Sequence, residues 1–282
     1  MLAKIIVATL IGLALHSSLA AQPHSVPFSL DPSGAISIPV SVNGASPVRF
    51  LLDTGSNRST ISTHLASRLN AQYIAKTSVR TATGVELRPV ARLDIVTIGS
   101  AVMNGLLVSV APSTHLEAIA PQIEGIIGQD FLAGHNYTLD YRKRRLTWDG
   151  ASRAVERRCL AMLEREGRYL LQLPAIGKSE RTVLLVPDTG ASGLVLYERG
   201  GRTPLPLEPG LGLARLQSMS GSRDVKSMML RELNVGNSTL RNVPAVVVAR
   251  EYDPAEADGL LPMHLFSRVT FDARERCLII EQ

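Results

Sequence analysis

Aromatic residues are scarce in this chain: 4% of 282, with a single tryptophan, Trp148. Any core must therefore be filled by Leu, Ile and Val, and a hydrophobic share of 45% is enough for one, which excludes wholesale disorder. There are only two cysteines, Cys159 and Cys277, and no Cys-x-x-C pair, so neither a zinc ribbon nor a thioredoxin-like centre is supported. An even count permits a disulfide, and two is also what chance supplies; sequence alone does not decide whether the Cα atoms come within bonding range. Beyond the N-terminus no apolar run is long enough to cross a bilayer, so no integral membrane segment is expected in the mature chain. Acidic residues are in slight deficit, giving a net charge of +5, but the cations are scattered. Their densest run, Arg142-Lys143-Arg144-Arg145, lies between Tyr141 and Leu146 and reads as a hairpin turn, which argues against nucleic acid as a partner. The mildly basic balance still favours anionic partners or membrane headgroups. Phosphate loops and serine elbows are missing too: Gly210-Leu211-Gly212 lacks a third glycine, and Ser192 sits in Gly-Ala-Ser-Gly. His64, His135 and His264 have no metal-ligand spacing, so neither a metal nor another cofactor is expected.

The N-terminus has the layout of a secretory signal peptide over residues 1–20. Lys4 precedes an apolar run from Ile5 to Leu15, too short to span, and Ser17-Ser18-Leu19-Ala20-Ala21 supplies small residues for cleavage. Export to the periplasm or the medium is expected; an uncleaved anchor is the alternative. No Cys follows the run, so a lipid anchor is not supported.

The rest of the chain repeats itself. Phe50-Leu51-Leu52-Asp53-Thr54-Gly55-Ser56 resembles Leu185-Val186-Pro187-Asp188-Thr189-Gly190-Ala191, an offset of 135. Pro39 aligns with Pro174, Gly84 with Gly221, Ile98-Gly99 with Val235-Gly236, Gly125-Ile126-Ile127 with Gly259-Leu260-Leu261, and Leu139-Asp140-Tyr141 with Phe271-Asp272-Ala273. An ordered series with small drifts implies two copies of one unit, 21–150 and 151–282, joined by the polar stretch from Gly150 to Arg158 and related by a pseudo-twofold. Each copy reads as mainly β. Ile36 to Val42 alternates with period two, Asn43-Gly44 supplies a hairpin turn, and Val48 to Leu52 continues as a strand. Further strands are expected over Asp94 to Ile98, Leu106 to Val110 and Pro244 to Ala249. Short helices are expected over Thr63 to Leu69 and Asp130 to Ala133. Asp140 and Asp272, between apolar neighbours, read as structural, and Trp148 is expected to pack where the first copy ends.

The repeated Asp-Thr-Gly carries the chemistry. An Asp at a strand end, on a tight turn, can face its twin from the other copy. Gly permits the close backbone approach, Thr can hydrogen-bond across the twofold, and a small fourth residue (Ser56 or Ala191) leaves room beside the carboxylate. Ser56 is also expected to donate to it. Two facing carboxyls do not both ionise easily; sharing one proton, one serves as base and the other as acid.

In these motifs the chain resembles the retropepsin-like aspartic peptidases, the clan that includes the pepsins. Leu51 to Ser56, Gly125-Ile126-Ile127-Gly128-Gln129-Asp130-Phe131-Leu132 and Leu139 to Leu146 carry the resemblance, which covers nearly all of residues 28–282. It implies two β-barrel lobes with a cleft between them. Asp53 and Asp188 would activate a water against a peptide or protein substrate, with Thr54, Gly55, Ser56, Thr189, Gly190 and Ala191 supporting the loops. Flaps are implied at Thr83-Gly84-Val85 and at Ser220-Gly221. A retroviral enzyme of this kind is a dimer of one unit; this chain carries both and is expected to work as a monomer. The second copy departs from the pattern. Pro187 stands at the position of Leu52 and removes a backbone donor, Pro262 replaces Gly128, and neither flap carries an aromatic. Two other readings follow. If the prolines misplace Asp188, the same fold is a non-catalytic module that binds extended peptide by strand addition. If copy one pairs with copy one, the active unit is a homodimer.

Overall fold

The computed structural model describes residues 24–80, 84–148, 159–174, 182–218, 221–249 and 257–282. The signal-peptide segment, the joining stretch from Gly150 to Arg158, Thr83 and Ser220 lie outside the described residues. Strands dominate, in two sheets of 8 and 13 strands. The helices are short: Thr63–Arg68, Ser113–Glu117 and Gln129–Leu132. The smaller sheet forms the first lobe. The larger begins at the closing hairpin of the first lobe and continues through the second.

The first lobe follows from its alternation. In the strand Ile36–Val42, Ile36, Ile38, Val40 and Val42 are buried, and they pack on Phe50 and Leu52 of the strand Val48–Leu52. Burying each such side chain stabilises the fold by about 1.5–3 kcal/mol. Asn43 and Gly44 both take positive φ, as the predicted hairpin turn requires. The strands Val85–Ile98 and Ala101–Ala111 are much longer than their apolar alternation suggested, and their hairpin turns at Gly99, with φ +57. Beneath them the strand Gly125–Ile127 runs parallel to Val48–Leu52, pairing Phe50 with Gly125 and Leu52 with Ile127. Gly125 fits there because its α-carbon lies against the Phe50 ring and the Thr60 carbonyl, where no side chain has room.

The second lobe repeats this threading. Leu185 pairs with Gly259, Val186 with Leu260 and Pro187 with Leu261, again in parallel. One sequence match needs correction. Pro39 stands opposite Arg49, and the second-lobe residue in the place of Arg49 is Leu184, whose partner is Gln172. Pro39 therefore corresponds to Gln172, not to Pro174. A shift of two residues keeps every side chain on the same face of a strand, so alternation alone could not detect it.

The lobes are joined by a continuous sheet. Tyr137–Asp140 pairs antiparallel with Arg268–Asp272, Thr138 opposite Thr270, and their hydroxyl oxygens lie 2.8 Å apart. These two residues are equivalent in the repeat, so the pseudo-twofold passes between them. Tyr137 and Phe271 stack at 4.8 Å beside the axis. Asp140 and Asp272 accept hydrogen bonds from nearby backbone N–H groups in the turns that follow them, a structural role as expected. Trp148 is buried among Phe131, His135 and Tyr137 at the end of the first lobe. Cys159 and Cys277 form a disulfide, with Cα atoms 5.4 Å apart, and tie the strand entering the second lobe to its last strand.

Candidate active site

Each Asp-Thr-Gly loop emerges where an apolar strand leaves its sheet. In the first lobe the Asp53 N–H still donates to Ile127, at 2.9 Å, so the strand delivers the aspartate to a fixed position. The chain then turns, and Gly55 and Ser56 N–H groups both donate to Asp53 Oδ1, at 2.9 and 3.0 Å. The second lobe reproduces the arrangement: Gly190 and Ala191 N–H groups donate to Asp188 Oδ1, at 2.7 and 3.1 Å. The loops meet on the pseudo-twofold. The Asp53 and Asp188 carboxyls come together there, close enough to couple. Gly55 lies directly against the Asp188 carboxyl, and a Cβ on Gly190 would stand 2.9 Å from Asp53 Cγ. Only glycine allows both approaches.

The threonines hold this contact. The Thr54 hydroxyl donates to the Pro187 carbonyl at 2.7 Å and accepts from the Thr189 N–H at 3.0 Å. Thr189 does the same in return, donating to the Leu52 carbonyl at 2.6 Å and accepting from the Thr54 N–H at 3.0 Å. Both side chains are buried.

Burial pushes the Asp53 carboxyl above the ordinary carboxylate range, opposed by its N–H donors, by Asp188 and by the charge of Arg168. Asp188 is pushed well higher, by burial first and then by the negative charge of Asp53. Two carboxyls both pushed upward at such close quarters do not ionise together easily, and the pair holds one proton between them.

The prolines do not displace Asp188. The pairing of Arg168–Pro174 with Thr182–Asp188 ends at Leu185, so the donor that Pro187 lacks has no ladder partner to serve. Its carbonyl still accepts from Thr54. Pro262 continues its strand by one residue and pairs with Asp188. In the first lobe Gly128 is required instead, because a Cβ there would come within 2.8 Å of the Arg58 backbone. A binding-only reading built on a misplaced Asp188 loses its premise.

Two expectations about the supports change. Ser56 reaches Asp53 only through its N–H; its hydroxyl donates to the Arg58 carbonyl at 2.9 Å. Gly84, Val85 and Gly221 lie at or beside the tips of hairpins, as predicted, but all three are exposed and none lines the cleft. The hairpin arms line it instead, with Arg80 from the first lobe and Arg215 to Ser218 from the second. The cleft has a volume of about 330 Å³, near the small end for ligand sites, which suits a few residues of extended chain rather than a folded partner. Among the described residues no group of acidic, His or Cys side chains could hold a metal ion, and no helix is long and apolar enough to cross a membrane.

Sequence reasoning missed three contributors. Gln129 is buried and donates through Nε2 to the Thr54 carbonyl at 3.0 Å, bracing the first loop. Asp130 accepts from the Ser59 N–H and hydroxyl, the latter at 2.6 Å, and Ser59 in turn accepts from the Gly128 N–H. Both residues lie inside the quoted Gly-Ile-Ile-Gly-Gln-Asp stretch, so a signal was present. Arg168 follows an ordinary hairpin turn, Glu166-Gly167, and nothing in the sequence marks it as a cleft residue.

A family description, aspartyl protease, matches residues 38–131 and 176–265, one segment from each copy. No curated protein matches the chain. Among solved structures, conglutin gamma, a basic 7S globulin from lupine seeds, shares the fold with a TM-score of 0.53 at 15% identity, over 92% of this chain and 94% of that one. At that identity the likeness extends to the fold and no further.

Proposed function

Since this chain belongs to the aspartyl protease family, we propose that it is an aspartic endopeptidase in which Asp53 and Asp188 activate the attacking water, one chain supplying the whole site through lobes 21–150 and 151–282. The reading rests on one observation: two carboxyls from equivalent loops, each held by two backbone N–H groups, come together in the lining of a cleft, each against the other loop's glycine. Asp53, in its ionised form, takes a proton from water as the oxygen attacks the scissile carbonyl carbon. Asp188, carrying the proton, gives it to the carbonyl oxygen. The tetrahedral diol then collapses: the carbon–nitrogen bond breaks as the proton held by Asp53 passes to the leaving amine, and one hydroxyl returns its proton to Asp188 as the carboxylic acid forms. No proton is gained or lost over the cycle beyond those of the water consumed. The N-terminal pattern adds that the enzyme acts after export, in the periplasm or the medium.

The test is proteomic. Purified mature protein is incubated with a peptide library from acidic to neutral pH, and new termini are identified by mass spectrometry. Cleavages that vanish in Asp53→Asn and in Asp188→Asn are the expected result. Cleavage that persists in either variant, or none from the unaltered chain, overturns the proposal.

A further inference from the structure

The cleft is charged in one sense. Apart from Asp53 and Asp188, its described lining contains no acidic side chain, yet it contains Arg80, Arg168 and Arg215. With one shared proton on the aspartates, the lining carries an excess of positive charge. Arg215 is engaged with the Ser222 hydroxyl, at 3.0 and 3.1 Å. Arg168 differs: its Nε is buried from solvent and has no hydrogen-bond partner among the described residues. A guanidinium nitrogen shielded from water and left unpaired is costly, and such groups are ordinarily satisfied.

Its position is also unusual within the repeat. Phe50 corresponds to Leu185 and pairs with Ile38, whereas Leu185 pairs with Leu171. Counting back three residues from Ile38 and from Leu171 makes Ala35 the counterpart of Arg168. The preceding glycines agree, Gly34 and Gly167 both having positive φ. Both Ala35 and Arg168 line the cleft. One half therefore presents a methyl group where the other presents a guanidinium. The turn before Arg168 is anchored across the lobes, since the Asn57 side chain donates to the Glu166 carbonyl at 3.1 Å. That anchoring ties the backbone before Arg168 to the first lobe, and the charge of Arg168 acts on Asp53.

From this geometry we infer that Arg168 is a specificity-determining residue that selects peptides bearing a carboxylate close to the scissile bond. The inference rests on the peptidase reading above. Arg168 can offer a planar pair of donors to a carboxylate, a match that neither an amide nor an ammonium group on the substrate reproduces. Arg80 and Arg215 add to the field without supplying the buried unpaired nitrogen. The carboxylate can come from an Asp or Glu side chain or from a peptide C-terminus, and the two sources are separable.

A peptide that the purified chain cleaves is resynthesised with Glu or Gln at each position from four before to four after the scissile bond. Each is made with a free and with an amidated C-terminus. At one position Glu is expected to give a kcat/KM about tenfold above Gln, the size of a charge-assisted hydrogen bond at a partly buried site. The ratio should fall to near one in Arg168→Gln and be partly kept in Arg168→Lys. A preference that follows the free terminus instead assigns the carboxylate to the chain end. Equal turnover of Glu and Gln peptides by the unaltered chain, or a ratio unchanged in Arg168→Gln, overturns the inference. So does a variant that moves only the acidic limb of the pH profile, which would confine Arg168 to tuning Asp53. If no peptide is cleaved, the peptidase reading fails separately. Eight-residue peptides of one fixed sequence, carrying Glu or Gln at each position in turn, are then titrated by calorimetry. Tighter binding of the Glu form, lost in Arg168→Gln, sustains the inference; equal or absent binding ends it.

Discussion

Thr54 donates to the carbonyl of Pro187, and Thr189 donates to the carbonyl of Leu52, so each threonine grips the strand end that delivers the opposite aspartate. Each hydroxyl also receives the other threonine's N–H. Replacing Thr54 or Thr189 with Val leaves a buried carbonyl and a buried N–H unpaired, and each change should cost about 1–3 kcal/mol of stability. Because all four bonds belong to one network, the double variant should lose less than the sum. Serine at either position keeps the oxygen and should restore most of the loss. Chemical denaturation of the five variants is the measurement.

Catalysis should depend on the aspartates as a unit. Asp53→Asn and Asp188→Asn are each expected to lower kcat by about 10³-fold or more, and the double change to add little. Should Asp188→Asn turn over nearly as well as the unaltered enzyme, the second lobe is scaffold and the shared-proton mechanism is wrong.

The directions of the two pKa shifts set the pH profile. The rate should fall in acid as the pair takes up its second proton and fall in base as it gives up its last, burial having pushed both carboxyls upward. The profile is then bell-shaped. Stability should follow a different curve. Both groups bind protons more tightly folded than unfolded, so their contribution is fully present below the unfolded value and is lost as pH rises through the folded values. Asn at Asp188 removes that loss. Its Tm should exceed that of the unaltered chain at pH 7, with the gap closing near pH 3.8, the unfolded value.

The glycines of the two loops offer a steric test. A methyl group at Gly55 or Gly190 runs into the opposite carboxyl. Gly55→Ala and Gly190→Ala should therefore abolish cleavage while circular dichroism still reports a β fold. Gly134→Ala, where a Cβ meets only ordinary contacts at 3.7 Å, should leave the rate unchanged.

The disulfide closes a sequence separation of 118 residues. Cys159→Ser with Cys277→Ser should destabilise the chain by roughly 2–5 kcal/mol, and peptide mapping without reductant should recover the two cysteines linked in the unaltered protein.

The site was legible in the sequence where chemistry is local, and illegible where it depends on what folding brings together. Asp-Thr-Gly after an apolar strand is a self-contained turn, so its second occurrence disclosed the repeat. The Gly-Ile-Ile and Gly-Leu-Leu strands could be aligned because each begins with a glycine that a tight contact demands. The strand before each motif could not be aligned as well, since a two-residue slip preserves alternation. That slip concealed the equivalence of Ala35 and Arg168. The glycines at the hairpin tips located the turns, but side-chain direction along the arms, which puts Arg80 and Gln217 on the cleft, depends on the twist of strands that sequence does not specify.

A symmetric cleft cannot tell which end of a peptide entered first, because both orientations meet identical walls. A dimer of identical chains is bound to that ambiguity: any residue placed on one wall is placed on the other. Here both halves belong to one polypeptide, and each position mutates alone. Ala35 and Arg168, equivalent in the repeat and different in kind, give the groove a head and a tail. On the peptidase reading proposed above, a peptide in that groove should have one preferred polarity.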